Sequence, residues 1–210
     1  MNDNNPVWVI ADQENCNLLP VTPQLVGQAR ILADVLETSV EVVLLGDGVG
    51  IHTEKLFASG TDRIYMGNDL DLATYHSEVY TDVIVKLAKE HNPQIVLMGS
   101  TSAGRELAPL VAARLKTGLT AHCIDLSINQ KCILEQKIPA YGGEITIVCP
   151  ERRPQMATVA QGAAALARNR SDQVLTSVSG MPGATPATAV RIDDTTVGRS
   201  CPLAVKNIVR

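Results

Sequence analysis

The sequence predicts an α/β fold: a doubly wound, mainly parallel sheet with an antiparallel extension at one edge. Three observations carry this. Short apolar runs rich in Val, Ile and Leu alternate with amphipathic stretches of helical spacing through the first 120 or so residues. Each run is bounded by Gly, Pro or polar residues, as strands buried on both faces are. After Cys123 the helices drop out and strand-like runs follow one another directly, which is the pattern of antiparallel pairing.

In chain order, Val7–Ala11 reads as the first parallel strand, and Asp12–Asn15 as the polar loop at its carboxyl end. Residues 23–38 carry Leu25, Val26, Ala29, Leu32, Ala33 and Leu36 on one helical face, with Thr22 as cap and Pro23 at the first helical position. Glu41–Leu45 is the second strand, stopped by Gly46-Asp47-Gly48. A short helix over 52–59 ends at Gly60, and Arg63–Met66 is the third strand. Val83, Ile84, Leu87 and Ala88 mark a helix over 79–90.

The fourth strand, Gln94–Met98, runs into Gly99-Ser100-Thr101-Ser102-Ala103-Gly104 and a helix from Arg105 to Leu115. Two readings of this corner stay open from the residues alone. A strand, a Gly/Ser loop and a helix N-terminus form an anion cradle, because orphan N–H groups and the helix dipole point at the loop. Arg105 on the first turn opposes that dipole, which an outside anion would relieve. The same residues are also ordinary turn chemistry. Ligands in doubly wound sheets sit beyond the carboxyl ends of the strands, here near Ala11-Asp12, Leu45-Gly46 and Met98-Gly99.

Beyond residue 123, strands are expected at 126–128, 132–137, 145–149 and 156–159, with a turn at Asn129–Lys131 and a Gly-rich loop at Pro139–Gly143. Residues 163–168 suit a helix, 177–188 a Ser/Gly/Pro/Ala linker, 189–192 a strand, and 203–209 a terminal helix or tail.

Composition excludes several classes. Hydrophobic residues are 45% of 210, enough for a large core, but aromatics are 3%, so that core is aliphatic. With a net charge of −4 and no basic stripe, the chain is not a nucleic-acid binder. No apolar run is long enough to span a bilayer, and the Asn-rich start is not a signal peptide, so a cytoplasmic protein is expected. Cys16, Cys123, Cys132, Cys149 and Cys201 are odd in number with no CxxC pair, and read as reduced. The four His residues are scattered, and no metal site or catalytic residue is expected.

Three blocks carry a resemblance. Gly99–Pro109 with Ala112–Ala121, then Pro139-Ala140-Tyr141-Gly142-Gly143, then Arg153-Pro154-Gln155-Met156-Ala157-Thr158-Val159 resemble, in order and spacing, the α subunit of electron transfer flavoproteins. The forms Thr117–Ala121 and Arg153–Met156 are similar to the anaerobic, NADH-linked branch. The resemblance covers roughly residues 7–162. It implies an adenine-nucleotide α-hydrolase-like domain over 1–170, followed by a linker and tail over 171–210.

It further implies an electron-carrier subunit rather than a catalyst on its own, docked with a β subunit and exchanging electrons with acyl-CoA or other dehydrogenases through FAD. The FAD-binding domain of the family lies outside this chain, and AMP or a second FAD would belong to the β subunit. Gly99, Ser100, Thr101, Ser102, Gly104 and Arg105 become the expected cofactor-facing groups, joined by Tyr141, Gly142 and Gly143 near the subunit interface. Two positions depart from the family pattern. Ile138 replaces an Arg, and Ala160-Gln161-Gly162 replaces Arg-Pro-Gly. Each removes a cation that would stabilise a reduced flavin, which speaks against flavin-based bifurcation. The alternative is a stand-alone adenine-nucleotide-binding module of related fold.

Overall fold

The structure, a computed structural model, describes residues 5–14 and 17–162 and the backbone of residues 188–191. Among these residues the central sheet has seven strands: β1 (Val7–Ile10), β4 (Val40–Gly46), β5 (Arg63–Asn68), β6 (Ile95–Gly99), β7 (Leu119–Cys123), β11 (Gln155–Val159) and β12 (Thr188–Arg191). Its spatial order is β12-β5-β4-β1-β6-β11-β7, and every pairing is parallel. Strands β1, β4, β6 and β11 are buried along their whole length. Their unbroken apolar runs follow from this, because a parallel sheet is covered on both faces.

The crossovers are helices α1 (Val21–Leu36), α2 (Thr53–Ala58), α3 (Ser77–His91) and α4 (Ser102–Leu115). Alternation along the strands divides the core. Val7, Val9, Val40, Val42 and Leu44 pack with α1 and Leu56 of α2 on one face. Trp8, Ile10, Val43, Leu45, Tyr65, Val96 and Met98 pack with α3 and α4 on the other. The chain leaves β1 toward β4 and β5, then returns to add β6 on the opposite side. The strand order therefore reverses between β1 and β6, and a crevice opens at their carboxyl ends.

The antiparallel strands β8 (Asp125–Ile128), β9 (Leu134–Ala140) and β10 (Gly143–Val148) form a sheet of their own, ordered β10-β9-β8. This sheet packs on the α1 face: Leu126 and Leu134 enter that core, and Gln28 Nε2 donates to the Leu126 carbonyl at 3.2 Å. Strand β11 then enters the parallel sheet between β6 and β7. A two-residue hairpin, β2 (Gln13–Glu14) and β3 (Asn17–Leu18), follows β1.

Several boundaries differ from the sequence expectation for local reasons. Helix α1 begins at Val21, and Thr22 does not cap it. Instead the Thr22 hydroxyl accepts from the Asp12 N–H at 2.9 Å and donates to the Asp12 carbonyl at 3.1 Å. Helix α4 begins at Ser102, because Thr101 caps it through the Gly104 N–H. It ends at Lys116 in the left-handed region, one residue before the expected Thr117-Gly118 stop. The turn at Asn129 forms as expected, its side-chain oxygen accepting from the Lys131 and Ile133 N–H groups at 2.9 and 3.1 Å. The strand expected at 189–192 is β12, whose backbone pairs with β5. The expected helices at 163–168 and 203–209 and the linker at 177–187 lie outside the described residues, as do Cys16 and Cys201.

Candidate functional site

The reversal point holds a cavity of about 690 Å³. Its apolar lining is Ile10, Leu45 and Met98 at the carboxyl ends of β1, β4 and β6, with Leu107 of α4. Tyr75 and Tyr80 stand beside it edge to face, with ring centroids 5.1 Å apart. The polar lining comes from two loops, Asp12–Glu14 after β1 and Ser100–Glu106 around the start of α4, together with Gln161.

Thr101 organises this corner. Its hydroxyl oxygen accepts from the Gly104 N–H at 3.0 Å, which caps α4. Its O–H donates to the Asp12 carboxylate in a close contact. Its carbonyl accepts from both the Arg105 N–H at 3.0 Å and Arg105 Nε at 3.3 Å. One threonine thus ties the first strand's loop to the helix and holds a carboxylate of the one and a guanidinium of the other. The loop is drawn so tight that a Cβ added at Gly104 would overlap the Gly99 carbonyl oxygen. A side chain there is excluded, which is why Gly occupies the position.

The electrostatics follow from burial. Desolvation pushes the Asp12 carboxyl up from its usual range, more than the Thr101 hydroxyl pulls it down; the Glu14 charge adds to the rise. Burial, then the charges of Glu106 and Asp12, push the Tyr75 phenol up to about 12, so it is a hydrogen-bond donor at neutral pH. Arg105 is exposed and makes no ion pair among the described residues.

The sequence expectation of Gly99, Ser100, Thr101, Ser102, Gly104 and Arg105 falls together at this cavity. Tyr141, Gly142 and Gly143 do not join it. Tyr141 and Gly142, both at positive φ, form the two-residue turn of the β9–β10 hairpin, and Gly143 opens β10. Tyr141 is fully exposed there. Residue-by-residue reading missed Tyr75, Tyr80, Glu106 and Gln161; the loop Asp12–Glu14 was signalled only by its place after the first strand.

A second contact at the cavity edge joins Ser100 Oγ and His122 Nδ1 at 3.0 Å. His122 sits at φ +60° where β7 meets β11, its N–H donating to Thr158 Oγ1 at 2.9 Å. No carboxylate among the described residues hydrogen-bonds His122, so the pair lacks the group that would orient a general base. No group of His, Cys, Asp and Glu among the described residues is placed to hold a metal. Of the described cysteines, Cys123 is buried, and burial pushes its thiol up to about 12, far from a reactive thiolate. No described helix is long and apolar enough to cross a membrane.

The electron transfer flavoprotein domain family matches residues 7–197, which includes every strand of both major sheets. The chain belongs to the electron transfer flavoprotein family. It is 43% identical over 164 residues to the electron transfer flavoprotein subunit alpha of Thermoanaerobacterium thermosaccharolyticum, covering 77% of this chain and 50% of that one. It is 44% identical over 165 residues to protein FixB of Clostridium saccharobutylicum, covering 76% and 48%. It is 36% identical over 155 residues to the lactate dehydrogenase (NAD(+),ferredoxin) subunit LctC of Acetobacterium woodii, covering 73% and 37%. The chain spans about half the length, or less, of these curated relatives.

Proposed function

We propose that this chain is the N-terminal α/β platform of an electron transfer flavoprotein α subunit, over residues 1–170 with Thr188–Arg191 added at the sheet edge, docking with a β subunit. The assembled protein shuttles electrons between dehydrogenases, acyl-CoA dehydrogenases among them, through FAD held mainly outside this platform. The supporting observation is the pairing of family membership and α-subunit relatives with the exposed tip and outer strand of the β9–β10 hairpin. Tyr141 at its tip is fully exposed, and Ile145 and Val148 on β10 are 45% and 40% exposed. An exposed aromatic on a rigid two-residue turn is the kind of anchor that subunit interfaces use.

The described residues do not fit FAD as an enclosed cofactor. The cavity sets the carboxylates of Asp12, Glu14 and Glu106 against the single cation Arg105, a charge balance that repels a pyrophosphate. In this reading FAD supplies the redox chemistry from another part of the assembly. This chain's residues set the geometry of docking.

The experiment is co-expression with a β-type subunit of the same family. A heterodimer by size-exclusion chromatography, yellow only when the partner is present, is the expected result. Tyr141→Ala should weaken assembly at least tenfold. Flavin bound by the lone chain in stoichiometric amount, or a heterodimer indifferent to Tyr141, would overturn the reading.

A further inference from the structure

The charge of the cavity at the strand reversal is the wrong sign for an anion, and electron transfer through a distant flavin makes no use of it. We infer that this cavity binds a small organic ammonium ion, an apolar body carrying one protonated amine. The inference does not rest on subunit docking.

The seat for an anion is already taken. Free N–H groups and the dipole at a helix N-terminus attract a negative group. At α4 that group is the chain's own Asp12 carboxylate, which accepts from the Thr101 O–H in a close contact, while Thr101 caps the helix through the Gly104 N–H. Arg105 is the one cation among the described lining residues; it is exposed, and its Nε donates to the Thr101 carbonyl at 3.3 Å. With Glu14 and Glu106, the lining sets three carboxylates against one guanidinium. The surplus is negative, and a cation is the ligand charge that lowers its energy.

That surplus converges on an aromatic wall. The Tyr75 O–H donates to the Ala103 carbonyl at 3.4 Å, which lays the ring along the start of α4. After burial, the charges of Glu106 and Asp12 are what push the Tyr75 phenol up, so both carboxylates are felt at this ring. Tyr75 meets Tyr80 edge to face with centroids 5.1 Å apart, and the Tyr80 O–H is anchored on the Leu72 carbonyl at 3.0 Å. Carboxylates beside a fixed aromatic pair suit an ammonium twice over: they neutralise its charge, and a ring face attracts it through its quadrupole.

The rest of the lining selects an organic cation over a bare one. Ile10, Leu45, Met98 and Leu107 supply an apolar floor, and the volume of about 690 Å³ lies in the range of small-molecule sites. No group of His, Cys, Asp and Glu among the described residues is placed to hold a metal ion. The half-buried Asp12 gains most, because a desolvated carboxylate is stabilised by a cation brought beside it.

Isothermal titration calorimetry on the full 210-residue chain tests this with three probes that share one body: phenethylamine, phenylethanol and phenylpropionate. Saturable binding of phenethylamine with a Kd of about 1 mM or tighter is expected, at least tenfold weaker for the alcohol and weaker still for the carboxylate. Asp12→Asn, which keeps an acceptor for Thr101, and Glu106→Gln, at an exposed position, should each weaken the amine at least fivefold. Tyr75→Leu should do the same, while Tyr75→Phe keeps the ring and binds like the parent. Arg105→Ala should tighten the amine, the reverse of what an anion site would show. No heat with phenethylamine at about 10 mM, equal affinity for the alcohol, or weaker binding by Arg105→Ala would each overturn the inference. Tyr141→Ala should bind the amine like the parent chain; loss of binding there would put the amine at the hairpin tip and overturn it as well. Failed titrations alongside intact β-subunit assembly would sink this inference and leave the docking proposal standing.

Discussion

At Gly104 a single hydrogen atom decides whether the loop closes. Any Cβ there meets the Gly99 carbonyl oxygen, which is backbone and cannot rotate away. Gly104→Ala must push α4 off β6, breaking the Thr101 cap with it. A loss of about 3 kcal/mol or more is expected, in the overpacking range, and urea unfolding of the purified variant measures it. Asp12 carries the second residue-scale expectation. Its folded carboxyl is raised by burial, so the native state holds a proton that the unfolded chain gives up. Stability from this group is therefore present at acid pH and lost as pH rises from the ordinary Asp range through the raised value. Asp12→Asn removes that penalty. Its stability relative to the parent should increase as pH rises above the ordinary Asp range of about 4, followed by thermal melts at each pH; a flat difference would contradict the burial argument.

At the scale of elements, much was legible and the misses have physical causes. The buried strands read directly, because a parallel sheet covered on both faces leaves unbroken apolar runs such as Val42–Leu45 and Ile95–Met98. Helix termini shifted where side chains bonded across the fold rather than locally. Thr22 looks like a cap in sequence but is recruited by the Asp12 backbone, and Thr101 takes the capping role at α4. The cavity was half legible. Its glycine and hydroxyl loop is contiguous, whereas Tyr75 and Tyr80 arrive from a segment whose sequence announces only a loop and a helix. Tyr141–Gly143 were grouped with that loop through the resemblance, and only the three-dimensional fold separates the hairpin from the cavity. Helix ends also offer a test. Glu37 terminates α1 at φ +53° and is exposed, a conformation that strains a residue with a side chain. Glu37→Gly should gain about 1 kcal/mol, seen as a higher melting temperature.

Across the whole molecule, the cavity end of the sheet has a counterpart at the opposite end. There Glu41, almost wholly buried, accepts from Trp8 Nε1 at 2.9 Å and the Tyr65 hydroxyl at 2.9 Å, and pairs with Arg63 at 3.0 Å. The His91 ring lies against Tyr65, with centroids 4.6 Å apart. This network joins β1, β4 and β5, with His91 of α3 packed on it, and both Glu41 carboxylate oxygens are hydrogen-bonded, the condition under which a buried carboxylate is tolerated. Glu41→Ala would orphan two buried donors and should cost about 3 kcal/mol, with the only tryptophan of the chain as a fluorescent reporter of the loss.

The pairing of Thr188–Arg191 with Arg63–Met66 sets an order of events on the ribosome. The segment that shields one flank of the sheet leaves the exit tunnel after all the other described strands have emerged. Until it arrives, a row of unsatisfied amide and carbonyl groups on β5 is open to any extended polypeptide nearby. A product stopped at residue 170 would keep that vulnerability permanently, and should self-associate in a concentration-dependent way that light scattering detects and the 210-residue chain lacks.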